Sequence, residues 1–197
     1  MSRSLLNKVQ FKSKGALIIV GGTHGAGKST LCRELQDILK WPYLTPQEIL
    51  KEQRELTKNQ VFRLIVKRAK SYLNENKSFV FEHVMSGSFV DKLISWAEQE
   101  KFDIHLVYMN ISSTQKANQR IIKRVAEGGH QLADQDINYR LSESRMHFWE
   151  DYRHKAHTWT LYDNSAEKRQ LLACSSKEKL SIEIQQKFLD FKNSIEL

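Results

Sequence analysis

The stretch Gly21 to Thr30 (GGTHGAGKST) carries the clearest chemical signal in the chain. Gly22, Gly27, Lys28 and Ser29 fit G-x-x-x-x-G-K-[ST], a loop whose backbone N–H groups turn inward onto phosphate oxygens. Gly22, Gly25 and Gly27 permit the tight path, and Thr23 and Ala26 complete the cradle. The helix that follows offers its N-terminus to the same anion. Lys28 is placed to reach β- and γ-phosphates and Ser29 to hold Mg²⁺, with Thr30 a lesser neighbour. ATP and Mg²⁺ are the cofactors this pattern predicts. A second candidate is Glu82, which directly follows the apolar run Ser78 to Phe81 (SFVF) and so stands at the end of a buried strand.

Elements of two kinds must position these residues. Ala16 to Val20 (ALIIV) reads as a buried parallel strand, and Leu31, Leu35, Ile38 and Leu39 form the apolar side of the next helix. Pro42 and Pro46 push their preceding residues toward extended geometry, leaving a very short strand or loop at Leu44-Thr45. Thr45, Pro46 and Glu48 then have the spacing of a capping box, starting a helix near Gln47. Asn59 to Asn76 is a long helix with Phe62, Ile65, Val66, Ala69, Tyr72 and Leu73 on one stripe. Ser78 to Phe81, Ile104 to Met109 and Thr158 to Tyr162 are further strands. Helices follow at about 88–100, at Thr114 to Glu127, where Arg120 and Arg124 share a face, and from Asp134 to about His154. Lys177 to Phe191 reads as a last helix with Leu180, Ile184, Phe188 and Phe191 inward. Five strands alternating with helices predict an α/β fold, its sheet mostly parallel with helices on both faces. Ligands should sit beyond the carboxyl ends of the strands, where the glycine loop, Gln47, Glu82, residues 110–113 and Asp163 converge.

With 197 residues, 40% hydrophobic and 27% charged, the chain has the composition of one globular domain. No apolar run has the length of a membrane span, and the N-terminus lacks signal-peptide features, so a cytoplasmic location without membrane association is expected. Cys32 and Cys174 show no metal-ligand spacing. The net charge of +8 suits a polyanionic small molecule or a nucleic acid and does not choose between them. The expected division is an N-terminal extension over 1–15, a nucleotide-binding domain over 16–170, and a C-terminal helix over 171–197 packed on that domain.

Four segments resemble one family in order and spacing: GGTHGAGKSTL (Gly21 to Leu31), SFVFEHVMSG (Ser78 to Gly87), RIIKRVAEGGH (Arg120 to His130) and LYDNS (Leu161 to Ser165). The chain resembles the zeta-toxin-like P-loop kinases, in particular the small bacterial zeta-toxin domain proteins, over about residues 16–170. The resemblance implies a P-loop NTPase-type three-layer fold with a five-stranded, mostly parallel sheet. It implies transfer of the γ-phosphate of ATP to a hydroxyl of a small phosphorylated acceptor, with a UDP-sugar as the first expectation. A small antitoxin-like protein is the partner it suggests; nucleic acid is not favoured. By the same resemblance Lys28 and Ser29 belong to the nucleotide site, Glu82 is catalytic or metal-linked, and Arg124, Arg140 and Arg120 grip the transferred phosphate.

The chain departs from the family at Thr45-Pro46-Gln47-Glu48-Ile49, where the family's N-A-D-x-I supplies an aspartate that looks like the general base. That position is Gln47, and an amide cannot take a proton. Three readings follow: Glu82 serves as base, Glu48 replaces the aspartate, or the protein binds nucleotide with weak turnover and acts as a regulator. A nucleoside or polynucleotide kinase is the rival within the same class.

Overall fold

In the computed structural model the described residues are 13–85, 87–126, 141–176 and 179–195. The organising strand is β1 (Ala16–Gly21), in which every residue is buried. A strand covered on both faces needs an unbroken apolar run, and ALIIV supplies it. Helix α1 (Lys28–Leu39) follows the glycine loop and buries Leu31, Cys32 and Leu35. Next come β2 (Tyr43–Leu44), α2 (Pro46–Glu52), α3 (Lys58–Asn74) and β3 (Phe79–Glu82). They are followed by α4 (Phe89–Gln99), β4 (Asp103–Asn110) and α5 (Thr114–Ala126). A helical segment over 141–155 (α6) widens to a π-helix over His147–Tyr152. The chain closes with β5 (Thr158–Asp163), β6 (Gln170–Ser176), β7 (Lys179–Ile182) and α7 (Gln185–Asn193).

One sheet runs in the order β2-β3-β1-β4-β5-β6-β7. The strands β1 to β5 pair in parallel, with Val20 beside Glu82 and Asn110 beside Asp163. The last two strands are antiparallel. Helices cover both faces, giving a three-layer α/β architecture. One face packs Phe81, Tyr108, Phe148, Trp149, Trp159 and Phe191 into an aromatic core. On the other, Ile18 and Val20 meet Leu31, Leu35 and Ile121.

Seven strands replace the expected five, and the reason lies in the tail. The spacing of Leu180, Ile184, Phe188 and Phe191 fits a helix, yet Lys179–Ile182 pairs with β6, and only Gln185–Asn193 is helical. Leu180 is 50% exposed on this edge strand, while Phe188 and Phe191 are buried. Two further local expectations are corrected. Thr45 makes no capping hydrogen bond; its Oγ1 donates to Gln47 Oε1 at 2.5 Å, and Glu48 instead accepts from Lys51 at 2.6 Å. The capping box forms at Thr57 and Gln60, at the start of α3. Phe62, expected on the buried stripe of that helix, is 49% exposed and rests edge-on against Phe89.

The two ends of this core differ in what they contribute. Phe148 is fully buried, stacked on Tyr108 at 4.6 Å and edge-on to Trp159. Phe148→Ala should cost about 3–5 kcal/mol of unfolding free energy. Leu180→Ala on β7 should stay within about 0.5 kcal/mol. Urea unfolding of both variants checks the pair; equal losses would place Leu180 in the core.

Candidate functional site

The glycine loop joins β1 to α1 across the carboxyl edge of the sheet. Gly22, Gly25 and Gly27 all take positive φ, at 131°, 75° and 89°. Space requires glycine as well as conformation. A Cβ on Gly22 would stand 2.4 Å from the Met109 carbonyl oxygen, and one on Gly25 2.8 Å from that of Ala117. The loop therefore lies directly on β4 and α5. It is also tied to the turn after β5, where Asn164 Nδ2 donates to Ala26 O at 2.9 Å. The first turn of α1 leaves its N–H groups without intrahelical partners, directed at the space the loop encloses.

Lys28, 6% exposed, donates from Nζ to Thr23 O at 2.9 Å and lies 4.0 Å from Glu82 Oε1. Glu82, 8% exposed at the end of β3, accepts from Ser29 Oγ at 3.0 Å on Oε1 and from the Tyr43 hydroxyl on Oε2. Burial first, then the Glu82 charge, drives the Tyr43 phenol far above its ordinary value, so Tyr43 remains a donor. Burial, followed by Glu82, also raises the Cys32 thiol well above its usual range, leaving it inert. His83, next to Glu82, stacks on Phe81 and accepts at Nδ1 from Met85 N–H at 3.0 Å.

A cavity of about 790 Å³ opens beside the loop, lined by Gly27, Thr30, Glu34, Arg120, Asn164 and Arg169 among others. Arg120 crosses its wall, donating to Gly25 O at 3.3 Å and to Ala166 O at 3.4 Å. Of the arginines expected at the phosphate, Arg120 is thus brought to the loop. Arg124 lies in α5 with its side chain outside the described residues, and Arg140 and His130 lie outside them altogether. Gln47, at the start of α2, is exposed and held by Thr45.

These residues fit a nucleotide and a hard cation. The Thr23 hydroxyl is buried without a hydrogen-bond partner, and positive-φ glycines line the cradle. Ser29 Oγ and Glu82 Oε1 are neighbouring oxygens. No cluster of three or more metal-ligating side chains occurs among the described residues. Sequence reasoning missed Tyr43 and Arg169. Tyr43 sits in a strand of two residues and Arg169 in a turn, so neither lies in a periodic pattern.

Comparison with known proteins gives the fold. The AvrRxo1-ORF1:AvrRxo1-ORF2 complex with ATP aligns at a TM-score of 0.70 and 12% identity, covering 96% of this chain and 66% of that one. The same complex with sulphate ions gives 0.69 at 14% identity and the same coverage. This chain therefore spans slightly less than two thirds of that protein's length. The PezAT chromosomal toxin–antitoxin system of Streptococcus pneumoniae aligns at 0.64 and 13% identity, over 98% of this chain and 91% of that one. An uncharacterised protein of Haemophilus influenzae is 26% identical over 140 residues, 69% of this chain and 99% of its own. No family model matches. The structural likenesses, all at 14% identity or below, are likenesses of fold. No helix among the described residues is long and apolar enough to cross a membrane.

Two histidines, the buried His105 and the half-buried His83, make stability depend on pH. Burial, and secondarily the Lys28 charge, pulls His83 down to about 4. Burial alone takes His105 to about 3. Both folded values lie below the ordinary 6.5, so on acidification the unfolded chain takes up protons first. Their contribution is complete above that value and is lost as pH falls toward 4, by up to about 1.4 kcal/mol per pH unit for each proton. Urea unfolding between pH 7 and 5 should show this loss. His83→Phe should reduce the slope by as much as one proton, and an unchanged slope would place the titration elsewhere.

Proposed function

We propose that this protein is an ATP- and Mg²⁺-dependent phosphotransferase that moves the γ-phosphoryl group to a hydroxyl of a small phosphorylated acceptor, with a UDP-sugar as the first candidate. The observation that carries the reading is the buried contact of Glu82 with Ser29, 4.0 Å from Lys28, at the mouth of the glycine loop. When bound, ATP with its metal supplies the transferable phosphoryl group. In this reading the N–H groups at the start of α1 hold phosphate oxygens, and Lys28 exchanges Thr23 O for the β- and γ-phosphates. Ser29 contributes its hydroxyl to the metal. Glu82 receives the acceptor's proton, directly or through a water, while Tyr43 fixes its orientation.

Glu82 is favoured over Glu48 as the base because it stands beside Ser29 and Lys28 at the mouth of the glycine loop, whereas Glu48 lies on α2 against Lys51. Arg120 is assigned to the nucleotide side of the cavity, where it bridges Gly25 and Ala166. Arg124 and Arg140 remain the proposed grip on the moving phosphoryl. Phosphoryl transfer rests mostly on positioning and charge stabilisation, so a glutamine at position 47 is compatible with turnover. The fold shared with AvrRxo1-ORF1:AvrRxo1-ORF2 and with the PezAT toxin–antitoxin system supports a search for a small antitoxin-like partner.

The test is ADP release against UDP-sugars, nucleosides, mononucleotides and 5′-hydroxyl RNA. A UDP-sugar or another phosphorylated small molecule should be the best acceptor; preference for nucleosides or RNA ends would replace this acceptor class. Lys28→Ala should lose about 3–4 kcal/mol of transition-state stabilisation. Glu82→Gln should lower kcat roughly 10²–10⁴-fold, and Glu48→Gln far less. A parent that binds ATP without turnover, together with an active Gln47→Asp variant, would make the natural protein a nucleotide-binding regulator.

A further inference from the structure

A second cavity, of about 250 Å³, opens at the carboxyl ends of β4 and β5 beside α7 and shares no lining residue with the first. The turn after β5 separates the two: Asn164 lines the first, Asp163 and Ser165 the second. Arg145 of α6 forms part of its wall and is 8% exposed. Its Nε donates to Asn110 Oδ1 at 3.0 Å and its Nη2 to Ile111 O at 2.7 Å. Both acceptors are neutral. Among the described residues no carboxylate lies within ion-pair distance of this guanidinium.

A charge held this deep with no ion pair among the described residues is costly, and the more distant Asp163 offsets only part of it. Burial is the main influence on Arg145 and lowers its pKa. Two carboxylates also line the cavity, one paired with a cation and one bonded to an amide. Asp163 accepts from Lys187 Nζ at 2.8 Å, and Asp190 accepts from Gln186 Nε2 at 2.9 Å. The protein bonds use Nε and one Nη2 hydrogen of Arg145. Among the described residues the Nη1 pair and the other Nη2 hydrogen have no partner; they form the edge that binds a carboxylate or phosphate through two parallel bonds. Lys116, exposed on α5, lines the same cavity and adds a second cation.

We propose that this cavity is a binding site for a small oxyanion, the phosphate or carboxylate group of a metabolite, held by Arg145 and Lys116. The site is separate from the glycine loop and does not depend on the phosphotransferase reading. Full-length protein would be titrated with inorganic phosphate and, separately, with succinate, following the rise in Tm, and crystals would be soaked in selenate. Selenate should occupy Arg145 Nη1, whatever it does at the glycine loop. The Tm rise from one or both anions should persist in Lys28→Ala. It should weaken roughly tenfold in apparent affinity in Lys116→Glu, an exposed change that leaves the core intact. Arg145→Gln should remove it. A larger response to phosphate marks a phosphorylated metabolite, and a larger response to succinate a carboxylate. Selenate at the glycine loop alone, or a Tm rise lost in Lys28→Ala and kept in Lys116→Glu, would overturn the proposal.

Discussion

A carboxylate buried at the end of a parallel strand must be met by donors, and the meeting of Glu82 with Ser29, Tyr43 and Lys28 orders this end of the molecule. Lys28 and Ser29 come from the first turn of α1 and Tyr43 from β2, so this side chain of β3 joins three elements. The parallel pairing of β1 with β3 sets Val20 beside Glu82, which brings the carboxylate level with the start of the loop. Removing such a group would leave a buried ammonium and a buried phenol to find other partners. The same contact therefore serves the fold and stands where chemistry on a phosphate would occur.

Close backbone approach is the second constraint. The loop packs against Met109 and Ala117 so tightly that side chains at Gly22 and Gly25 would collide with carbonyl oxygens. Asn164 then fastens Ala26 from the far side. Residues remote in sequence thus hold the loop from β4, α5 and the turn after β5. Arg120 spans two of these supports, since it bonds both Gly25 and Ala166. A preorganised cradle of this kind keeps its N–H groups fixed before any anion arrives.

Beyond the parallel core, β6 runs against β5 and β7 against β6, and α7 returns onto the aromatic face. Lys187 of α7 reaches Asp163 at the end of β5, so the tail takes part in shaping the strand ends. Burial alone would raise the Asp163 carboxyl, but Lys187 and Ser165 hold it below its usual range. The tail thus pairs one of the two carboxylates that line the second cavity, and among the described residues no carboxylate forms an ion pair with Arg145.

The sequence by itself determined what is local and periodic. Glycines at fixed offsets, an all-apolar β1 and the stripe of α1 specify strand, loop and helix, because φ > 0 and burial on two faces admit few other residues. Glu82 was legible for the same reason, as the first polar residue after a buried run. Register and distant contact were decided only by the tertiary structure. A segment such as Lys179–Ile182 fits a helical spacing and a strand equally well, and pairing with β6 settles it. Thr45 looked like a helix cap, but its hydroxyl found the Gln47 side chain instead. The partners of Tyr43 and Arg145 lie on other elements, at separations where no sequence period reaches. Side-chain hydrogen bonds between distant elements follow from packing, and packing is a property of the whole chain.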